Sequence, residues 1–453
     1  MDKKIADIIE SYREDFVRTL RSWINVPSIK GEAGENAPFG RDVRNMLDQA
    51  MKTARDLGFE PVDYAGYACD VKLGDAEEEI GVLGHLDVVP VGDGWTRPPF
   101  EGVIENGRMY GRGTNDDKGP SLAALYAMRA IRDAGLPLKK SIKLILGCDE
   151  ESGWEDMAYY TAHAGMPEIG FSPDASFPLI NTEKGMIHLT FRGPASGSGL
   201  KILQMCTGNR MNVIPGKSKA LLEGGEVLAE QVRAYSGKTG LPYRAESAAE
   251  GVWVTAEGIP GHSAYPEGRR NAIGMMLKLL KALGAEGTPA LLADTVGMES
   301  DGAGLGCACR DDVSGPLTCN MGILRLEQGE WIGTLDLRCP ITADLEQLKD
   351  SIAAHLPGLS IENLELKAPH HVPAESELVR SLLAAYEEET GWKGEPMSTG
   401  GGTYAKVLKR GVAFGALFPD EEDLAHQADE YAAIDRLMLA IRIYANALIR
   451  LAC

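Results

Sequence analysis

The chain has 453 residues, of which 44% are hydrophobic and 25% charged, and a formal net charge of −20 at pH 7. This length predicts two or three domains, and the composition is that of an ordinary globular protein. The strong negative charge argues against binding to nucleic acid or to an anionic membrane surface. The net charge says little about the substrate, because a metal site can be locally positive inside an acidic protein.

The first twenty residues have the pattern of an acidic amphipathic helix, without the apolar core or cleavage site of a signal peptide. The apolar runs are all too short to span a bilayer. The eight cysteines are scattered except for Cys307 and Cys309, which favours reduced thiols over disulfides or a thiolate metal site. These features predict a cytoplasmic protein without a membrane partner.

The first part of the chain alternates helices with short apolar strands. Helices are predicted at about 4–23, 40–57 and 120–134, and strands at about 60–64, 68–73, 80–85, 141–147 and 169–172. This alternation favours an α/β domain with a largely parallel sheet, in which ligand sites lie at the carboxyl ends of the strands. Three of the predicted strands end in acidic or histidine residues, so we expect a site along that edge.

The pattern changes near residue 183. Strands are predicted at about 186–191, 201–206, 219–222, 252–257, 317–325 and 331–338, and helices at about 226–234, 271–283 and 345–356. We therefore predict an inserted α+β domain at 183–378, with room for two subdomains. The first domain, 1–182, would be completed by 379–453, which ends in a long amphipathic helix. The stretch 223–250 resembles an insertion and has no assigned role.

Seven acidic or imidazole side chains are expected to gather at the sheet edge: His85, Asp87, Asp116, Glu150, Glu151, Asp174 and His426. Imidazole and carboxylate ligands suit zinc and similar divalent cations. One shared carboxylate would serve two cations about 3.5–4 Å apart. Adjacent residues rarely play the same role, so one member of the Glu150-Glu151 pair could bind metal while the other faces an attacking water.

The segments around these residues, in their order along the chain, resemble those of the metal-dependent amidohydrolases and exopeptidases related to aminoacylase and carboxypeptidase G. This group is peptidase family M20. The resemblance is greatest to bacterial dipeptidases of the peptidase V type. It is carried by the segments 84–90, 111–119, 149–154, 171–175, 400–404 and 426–427. The implied fold is a zinc-exopeptidase catalytic domain with an inserted lid domain.

The resemblance also implies a role for each polar residue at the sheet edge. The cation ligands would be His85, Asp116 and Asp174 for one ion, and Asp116, Glu151 and His426 for the other, with Asp116 bridging. Asp87 would orient His85, and Glu150 would be the general base. Asp116 is preferred to Asp117 by counting back from Lys118-Gly119. The expected cofactor is a pair of divalent ions, zinc first, with manganese or cobalt as alternatives.

Further residues are implied to contact the substrate. They are His262 as the donor to the oxyanion, and Asn212, Arg338, Gly400, Gly401, Gly402 and Thr403 around the carboxylate of the substrate. A planar guanidinium suits a carboxylate, and a neutral imidazole N–H suits an oxyanion. Lys406 departs from the family pattern, in which arginine is expected.

These interpretations predict a dipeptidase that acts on small peptides with free amino and carboxyl termini. We expect a monomer, because the inserted domain is long enough to supply His262 to the active site of its own chain. One alternative is an amidohydrolase for N-acyl or N-succinyl amino acids, which would share the chemistry. The other is a non-catalytic ligand-binding relative, against which the presence of Glu150 and every expected ligand argues.

Overall fold

The computed structural model describes residues 2–195 and 199–453. Their contacts divide the chain into two compact units. The first unit comprises Met1–Thr182, His371–Met397 and Gly402–Cys453. The second comprises Glu183–His370 and Ser398–Gly401. Among the described residues, no helix has both the length and the apolar character that crossing a membrane requires.

The described residues of the first unit form seven helices and a mixed sheet. The helices are Lys3–Ser11, Arg13–Ile24, Arg41–Asp56, Lys118–Asp133, Glu155–Ala164, Glu377–Thr390 and Ile434–Ala452. The strands are Pro61–Tyr64, Ala68–Leu73, Glu79–His85, Val103–Glu105, Arg108–Tyr110, Ser141–Gly147, Ile169–Ser172, Ala175–Ser176, Ile180–Glu183, Arg410–Ala413, Ala416–Leu417 and Tyr431–Ala433, and a short 3₁₀ turn is at Tyr404–Val407. Two further short strands, His370–His371 and Met397–Thr399, include the points where the chain passes between the units.

The centre of the first sheet is parallel. Its four central strands lie in the order Ser141–Gly147, Glu79–His85, Ile169–Ser172 and Arg410–Ala413. Antiparallel strands flank this core on both sides. The prediction of an α/β fold is confirmed, and the consequence for function is that the carboxyl ends of three consecutive strands meet at one edge.

The core of the first unit forms because its central elements are apolar throughout. From Ile80 to His85 every residue of the strand is buried, as expected for a parallel strand covered on both faces. The helix Lys118–Asp133 is also buried along nearly its whole length, and Ile434–Ala452 packs against it. A helix with apolar residues on all sides belongs inside a domain. The loop before Lys118 is thereby held against the sheet.

In the second unit, the residues outside the gap at 196–198 form one antiparallel sheet of eight strands. Their order is Tyr243–Ala248, Gly251–Glu257, Lys217–Leu222, Ile202–Thr207, Thr318–Glu327, Glu330–Cys339, Gly185–Pro194 and Ser360–Lys367. Its helices are Glu226–Thr239, Ala272–Ala282, Thr288–Thr295 and Leu345–His355, with a 3₁₀ turn at Ala303–Leu305. Short paired strands lie at Val213–Ile214 with Gly261–His262 and at Arg310–Asp311 with Gly315–Pro316.

The strand predicted at about 186–191 is confirmed as Gly185–Pro194, which opens the second unit and alternates in burial. Ile187, Leu189 and Phe191 are fully buried, whereas the residues between them are only partly so. The insertion-like stretch 223–250 forms the helix Glu226–Thr239 and the edge strand Tyr243–Ala248. That stretch therefore extends the sheet and its helical layer.

Candidate metal centre

The polar residues expected at the sheet edge all lie in the first unit and come together. His85 ends its strand, Glu150 and Glu151 follow Ser141–Gly147, and Asp174 follows Ile169–Ser172. Asp116 precedes the buried helix, and His426 lies in the loop before Tyr431–Ala433. Parallel strands bring their carboxyl ends to one edge, so residues far apart in sequence become neighbours.

Asp116 lies between two groups of ligand atoms. Its Oδ1 is 3.0 Å from His85 Nε2, which is 3.8 Å from Asp174 Oδ2. Its Oδ2 is 3.0 Å from His426 Nε2, which is 2.9 Å from Glu151 Oε1. In each group of three residues, the ligand atoms lie within 4.8 Å of one another. The two groups could each hold a cation, and Asp116 would be common to both.

The electrostatics of the cluster fit positive ions. Burial, and then the neighbouring Asp174, raise the pKa of Glu150 well above its ordinary value. Burial, and then Asp116, do the same for the pKa of Asp174. Burial would also raise the pKa of Asp116, but hydrogen bonds from His426 and His85 hold it well below its usual range. Crowded, desolvated carboxylates repel one another, and divalent cations would relieve this repulsion.

Asp87 connects His85 to the Glu150-Glu151 pair. Its two carboxylate oxygens accept the backbone N–H groups of Glu150 at 3.2 Å and Glu151 at 3.1 Å. Nδ1 of His85 is 2.9 Å from the backbone carbonyl of Asp87 and 3.5 Å from its carboxylate. With a proton kept on Nδ1, a cation that displaced the Nε2 proton would find the Nε2 lone pair facing it, beside Asp116 and Asp174.

Asp117, the alternative ligand in the sequence, belongs to neither group. Its Oδ2 accepts the backbone N–H of His85 at 3.1 Å and the hydroxyl of Ser121 at 2.7 Å. A side chain at Gly84 would collide with this arrangement, because an added Cβ would lie 1.9 Å from Ser121 Oγ and 2.6 Å from Asp117 Oδ2. Asp117 therefore braces the end of the strand that carries His85.

Glu430 holds the loop of Asp116 in place, which sequence reasoning missed. Its Oε1 accepts three backbone N–H groups, those of Gly113, Asn115 and Asp116, at 3.0, 3.0 and 3.3 Å. Its Oε2 accepts a hydrogen bond of 2.7 Å from Arg112. Both partners of this ion pair are buried, with side chains 1% and 0% exposed. The only signal in the sequence was an acidic residue four positions after His426.

Replacing Glu430 with glutamine is expected to weaken cation binding at the Asp116–Glu151–His426 group. The amide lacks the charge that holds the N–H groups and Arg112, so the loops of Asp116 and His426 should lose their mutual alignment. A loss of about 10- to 100-fold in zinc affinity is the usual effect of removing such support. Competition titration against a zinc-binding indicator measures it. The exposed Glu422 of the same loop provides the control variant E422Q, and equal affinities in the two variants would contradict the assignment.

Asn212 and His262 lie side by side in the second unit. Asn212 directly precedes the short strand Val213–Ile214, in which Val213 pairs with His262. The N–H of Ser263 donates to the carbonyl of Asn212 at 3.0 Å. The N–H of Ala264 donates to Nδ1 of His262 at 3.2 Å. Because Nδ1 accepts this bond, the neutral imidazole carries its proton on Nε2, as a donor to an oxyanion requires.

Arg338 is buried and has partners inside its own unit. Its Nε and Nη2 donate to the two carboxylate oxygens of Asp336, at 2.8 and 3.0 Å. Its Nη1 donates to the carbonyl of Gly400 at 2.6 Å. The side of the guanidinium fork formed by Nε and Nη2 thus binds an internal carboxylate, and Arg338 anchors the glycine-rich loop. Binding of a substrate carboxylate by Arg338 stays a prediction.

An α/β sheet whose strand ends bear two linked histidine-carboxylate groups is the arrangement of a metal-dependent hydrolase. The sequence model of Peptidase family M20/M25/M40 matches residues 81–450. YtjP of Bacillus subtilis (strain 168) is 35% identical over 456 residues, covering 97% of this chain and 98% of that protein. The chain belongs to the peptidase family M20/M25/M40, so the prediction of a peptidase-family hydrolase is confirmed.

Two further similarities cover almost the full length of the chain. A Beta-Ala-Xaa dipeptidase of Lactobacillus delbrueckii subsp. lactis is 31% identical over 464 residues, covering 100% of this chain and 99% of that protein. The solved structure of the di-peptidase Dug1p from Saccharomyces cerevisiae has a TM-score of 0.61 at 15% identity, covering 99% of this chain and 98% of that one. The latter likeness supports the fold and its inserted domain.

Proposed function

We propose that the protein is a dipeptidase with two divalent cations, which hydrolyses dipeptides with free amino and carboxyl termini. The observation that carries the proposal is Asp116, whose two oxygens face two separate groups of histidine and carboxylate ligands. The dipeptidase activity named for the Lactobacillus relative supports the substrate class. A dipeptide is short enough for one site to recognise both its charged amino end and its charged carboxyl end, as expected.

His85, Asp116 and Asp174 would hold one cation, and Asp116, Glu151 and His426 the other. When bound, the cations would supply Lewis acidity, which lowers the pKa of water and polarises the scissile carbonyl. The mixture of imidazole and carboxylate donors favours zinc, and manganese or cobalt would also suit it. The ligands come from the end of one strand and from four loops, so they would hold this geometry only in the folded chain.

Glu150 is the proposed general base and acid. Its backbone is held on both sides, because its N–H donates to Asp87 and its carbonyl accepts the indole N–H of Trp154 at 2.9 Å. Burial, and then Asp174, raise the pKa of its carboxyl group, and a raised pKa makes a carboxylate a stronger base. Glu150 would take a proton from the attacking water and deliver it to the leaving amine.

Residues of the second unit, together with Gly402 and Thr403 of the first, would bind the substrate and its developing charge. We propose that Nε2–H of His262 donates to the oxyanion of the tetrahedral intermediate. Asn212 would donate to the substrate, and the loop of Gly400, Gly401, Gly402 and Thr403 would receive its carboxylate end. Arg338 would contribute by holding the carbonyl of Gly400, and its remaining Nη2 N–H would donate to the same carboxylate.

A substrate panel tests the proposal. Protein supplied with zinc, manganese or cobalt is assayed with dipeptides that begin with α-amino acids or β-alanine, and with N-acetyl and N-succinyl amino acids of the same carboxyl-terminal residue. We expect hydrolysis of free dipeptides and a much lower kcat/KM for the N-acylated compounds, because a free amino group is part of the recognised substrate. Faster hydrolysis of an N-acyl amino acid would establish the amidohydrolase alternative.

A further inference from the structure

Two buried polar side chains of the second unit have no role in the mechanism described so far. Asn320 and Asp336 lie directly opposite each other on the neighbouring strands Thr318–Glu327 and Glu330–Cys339. Their exposed fractions are 4% and 0%. Burying an amide or a carboxylate is unfavourable unless hydrogen bonds replace its contacts with water. The partners of these two side chains therefore indicate what they stabilise.

Asn320 holds the backbone on both sides of Asn212. Its amide nitrogen donates to the carbonyls of Met211 at 3.0 Å and Val213 at 2.9 Å. Its Oδ1 accepts a hydrogen bond of 2.8 Å from Asn271, which also caps the helix that follows it. Both N–H groups of the Asn320 amide thus donate to one short segment. The amide oxygen is in turn held by Asn271, at the rigid end of a helix.

The carbonyl of Asn212 itself is also bound. It accepts the backbone N–H of Ser263, the residue after His262. Three consecutive carbonyls, those of Met211, Asn212 and Val213, therefore have fixed partners. This leaves the backbone around Asn212 little freedom, so the direction of the Asn212 side chain depends on Asn320.

Asp336 holds the segment that carries His262. Its Oδ2 accepts the hydroxyl of Ser263 at 2.6 Å, and the same carboxylate pairs with Arg338, which anchors Gly400. Although burial opposes ionisation, hydrogen bonds and charge from His188 and Arg338 lower the pKa of Asp336 to about 2. The carboxylate therefore stays charged at neutral pH and links the histidine segment to the glycine-rich loop.

We propose that Asn320 and Asp336 are positioning residues for substrate recognition, which hold Asn212 and His262 in one geometry before the substrate binds. This proposal rests on the proposed function, which assigns Asn212 and His262 to the substrate. Donors that are already oriented lose less free energy on binding and stabilise developing charge better than mobile ones. The cross-strand pair acts through its neighbours and contacts no reacting atom itself.

Two variants test the two links separately. Asn320→Asp keeps the size of the side chain but replaces its donating amide with an acceptor that faces two carbonyls. Ser263→Ala removes the hydroxyl bonded to Asp336 without adding a charge, so it provides a second test if Asn320→Asp does not fold. We expect Asn320→Asp to lower kcat/KM for dipeptides by about 100-fold, the effect of a misplacement of about 1 Å. Bound zinc should stay at the wild-type level in both variants.

The same strands provide matched controls. Thr318 and Thr334 each lie two residues before one member of the pair and are also buried. Within the described part of the chain, neither hydroxyl oxygen has a hydrogen-bond partner. Thr318→Val and Thr334→Val therefore change the same sheet without touching the segments of Asn212 or His262, and both should keep the wild-type kcat/KM.

A double-mutant cycle separates positioning from general stability. In an Asn212→Ala background, Asn320→Asp should have little further effect, because its action passes through Asn212. An equal loss in both backgrounds, or a loss no larger than in the threonine controls, would overturn the proposal.

A readout without catalysis keeps this test independent of the proposed function. ¹⁵N spectra of histidine-labelled protein report the tautomer of His262, with the signal assigned by His262→Ala. Ser263→Ala should shift the ring-nitrogen signals of His262 and Thr334→Val should not. If the wild-type protein hydrolyses no dipeptide, the proposed function fails and the His262 signal still decides this inference. Unchanged signals in Ser263→Ala would overturn it.

Discussion

Replacing Glu150 with glutamine is expected to lower kcat by about 10²–10⁴-fold, the usual contribution of general acid–base catalysis. Glutamine keeps the shape of the side chain but cannot take a proton from water. Cation binding should stay close to normal, because Glu150 belongs to neither group of clustered ligands. Steady-state assays with the best dipeptide give kcat, and elemental analysis of the purified variant gives the bound metal.

The neighbouring residue provides the comparison. Glu151→Gln removes an oxygen that lies 2.9 Å from His426 Nε2 in the second ligand group, so this variant should lose bound metal. Glu155→Gln changes an exposed carboxylate in the same region and should resemble the wild type in both measurements. If Glu150→Gln loses metal and Glu151→Gln keeps it, the roles of the two glutamates are reversed.

Removing the divalent cations is expected to abolish hydrolysis, and adding zinc, manganese or cobalt should restore it. The physical reason is that the cations would supply the Lewis acidity that activates water and polarises the carbonyl, which the crowded carboxylates around Asp116 cannot supply themselves. The cations should also raise Tm, because a ligand that binds only the folded state stabilises it by mass action. Dialysis against a chelator, followed by titration with each cation, measures activity and thermal unfolding on the same samples.

Histidine variants show whether the effect of cation removal on activity arises at the proposed metal centre. His426→Ala should reduce the number of tightly bound cations per chain, because His426 belongs to one ligand group only. His355 is exposed on a helix of the second unit, so His355→Ala should bind metal as the wild type does. Full activity in protein shown by elemental analysis to be free of metal would end the two-cation proposal.

The sequence was informative about those structural features that a local pattern of residues determines. Apolar runs that end in His85, Glu150 or Asp174 predicted buried strands with polar ends, and parallel pairing brings such ends to one edge. The strand Tyr243–Ala248 was missed, because its residues alternate weakly and include few β-branched side chains. It forms through pairing with Gly251–Glu257, a partner that propensity alone does not indicate.

The sequence by itself determined the fold class, the family resemblance and the set of residues that could bind metal, because these depend on residue types and their order along the chain. Only the tertiary structure distinguished Asp116, which lies in both groups of ligand atoms, from Asp117, which lies in neither, because the surroundings of adjacent side chains depend on what each one meets in the fold. It also decided the partners of Glu430 and Arg338. Those hydrogen bonds join Glu430 to residues more than 300 positions earlier, and Arg338 to Gly400 62 positions later. Contacts of such range form only when distant loops fold together, and no local pattern encodes them.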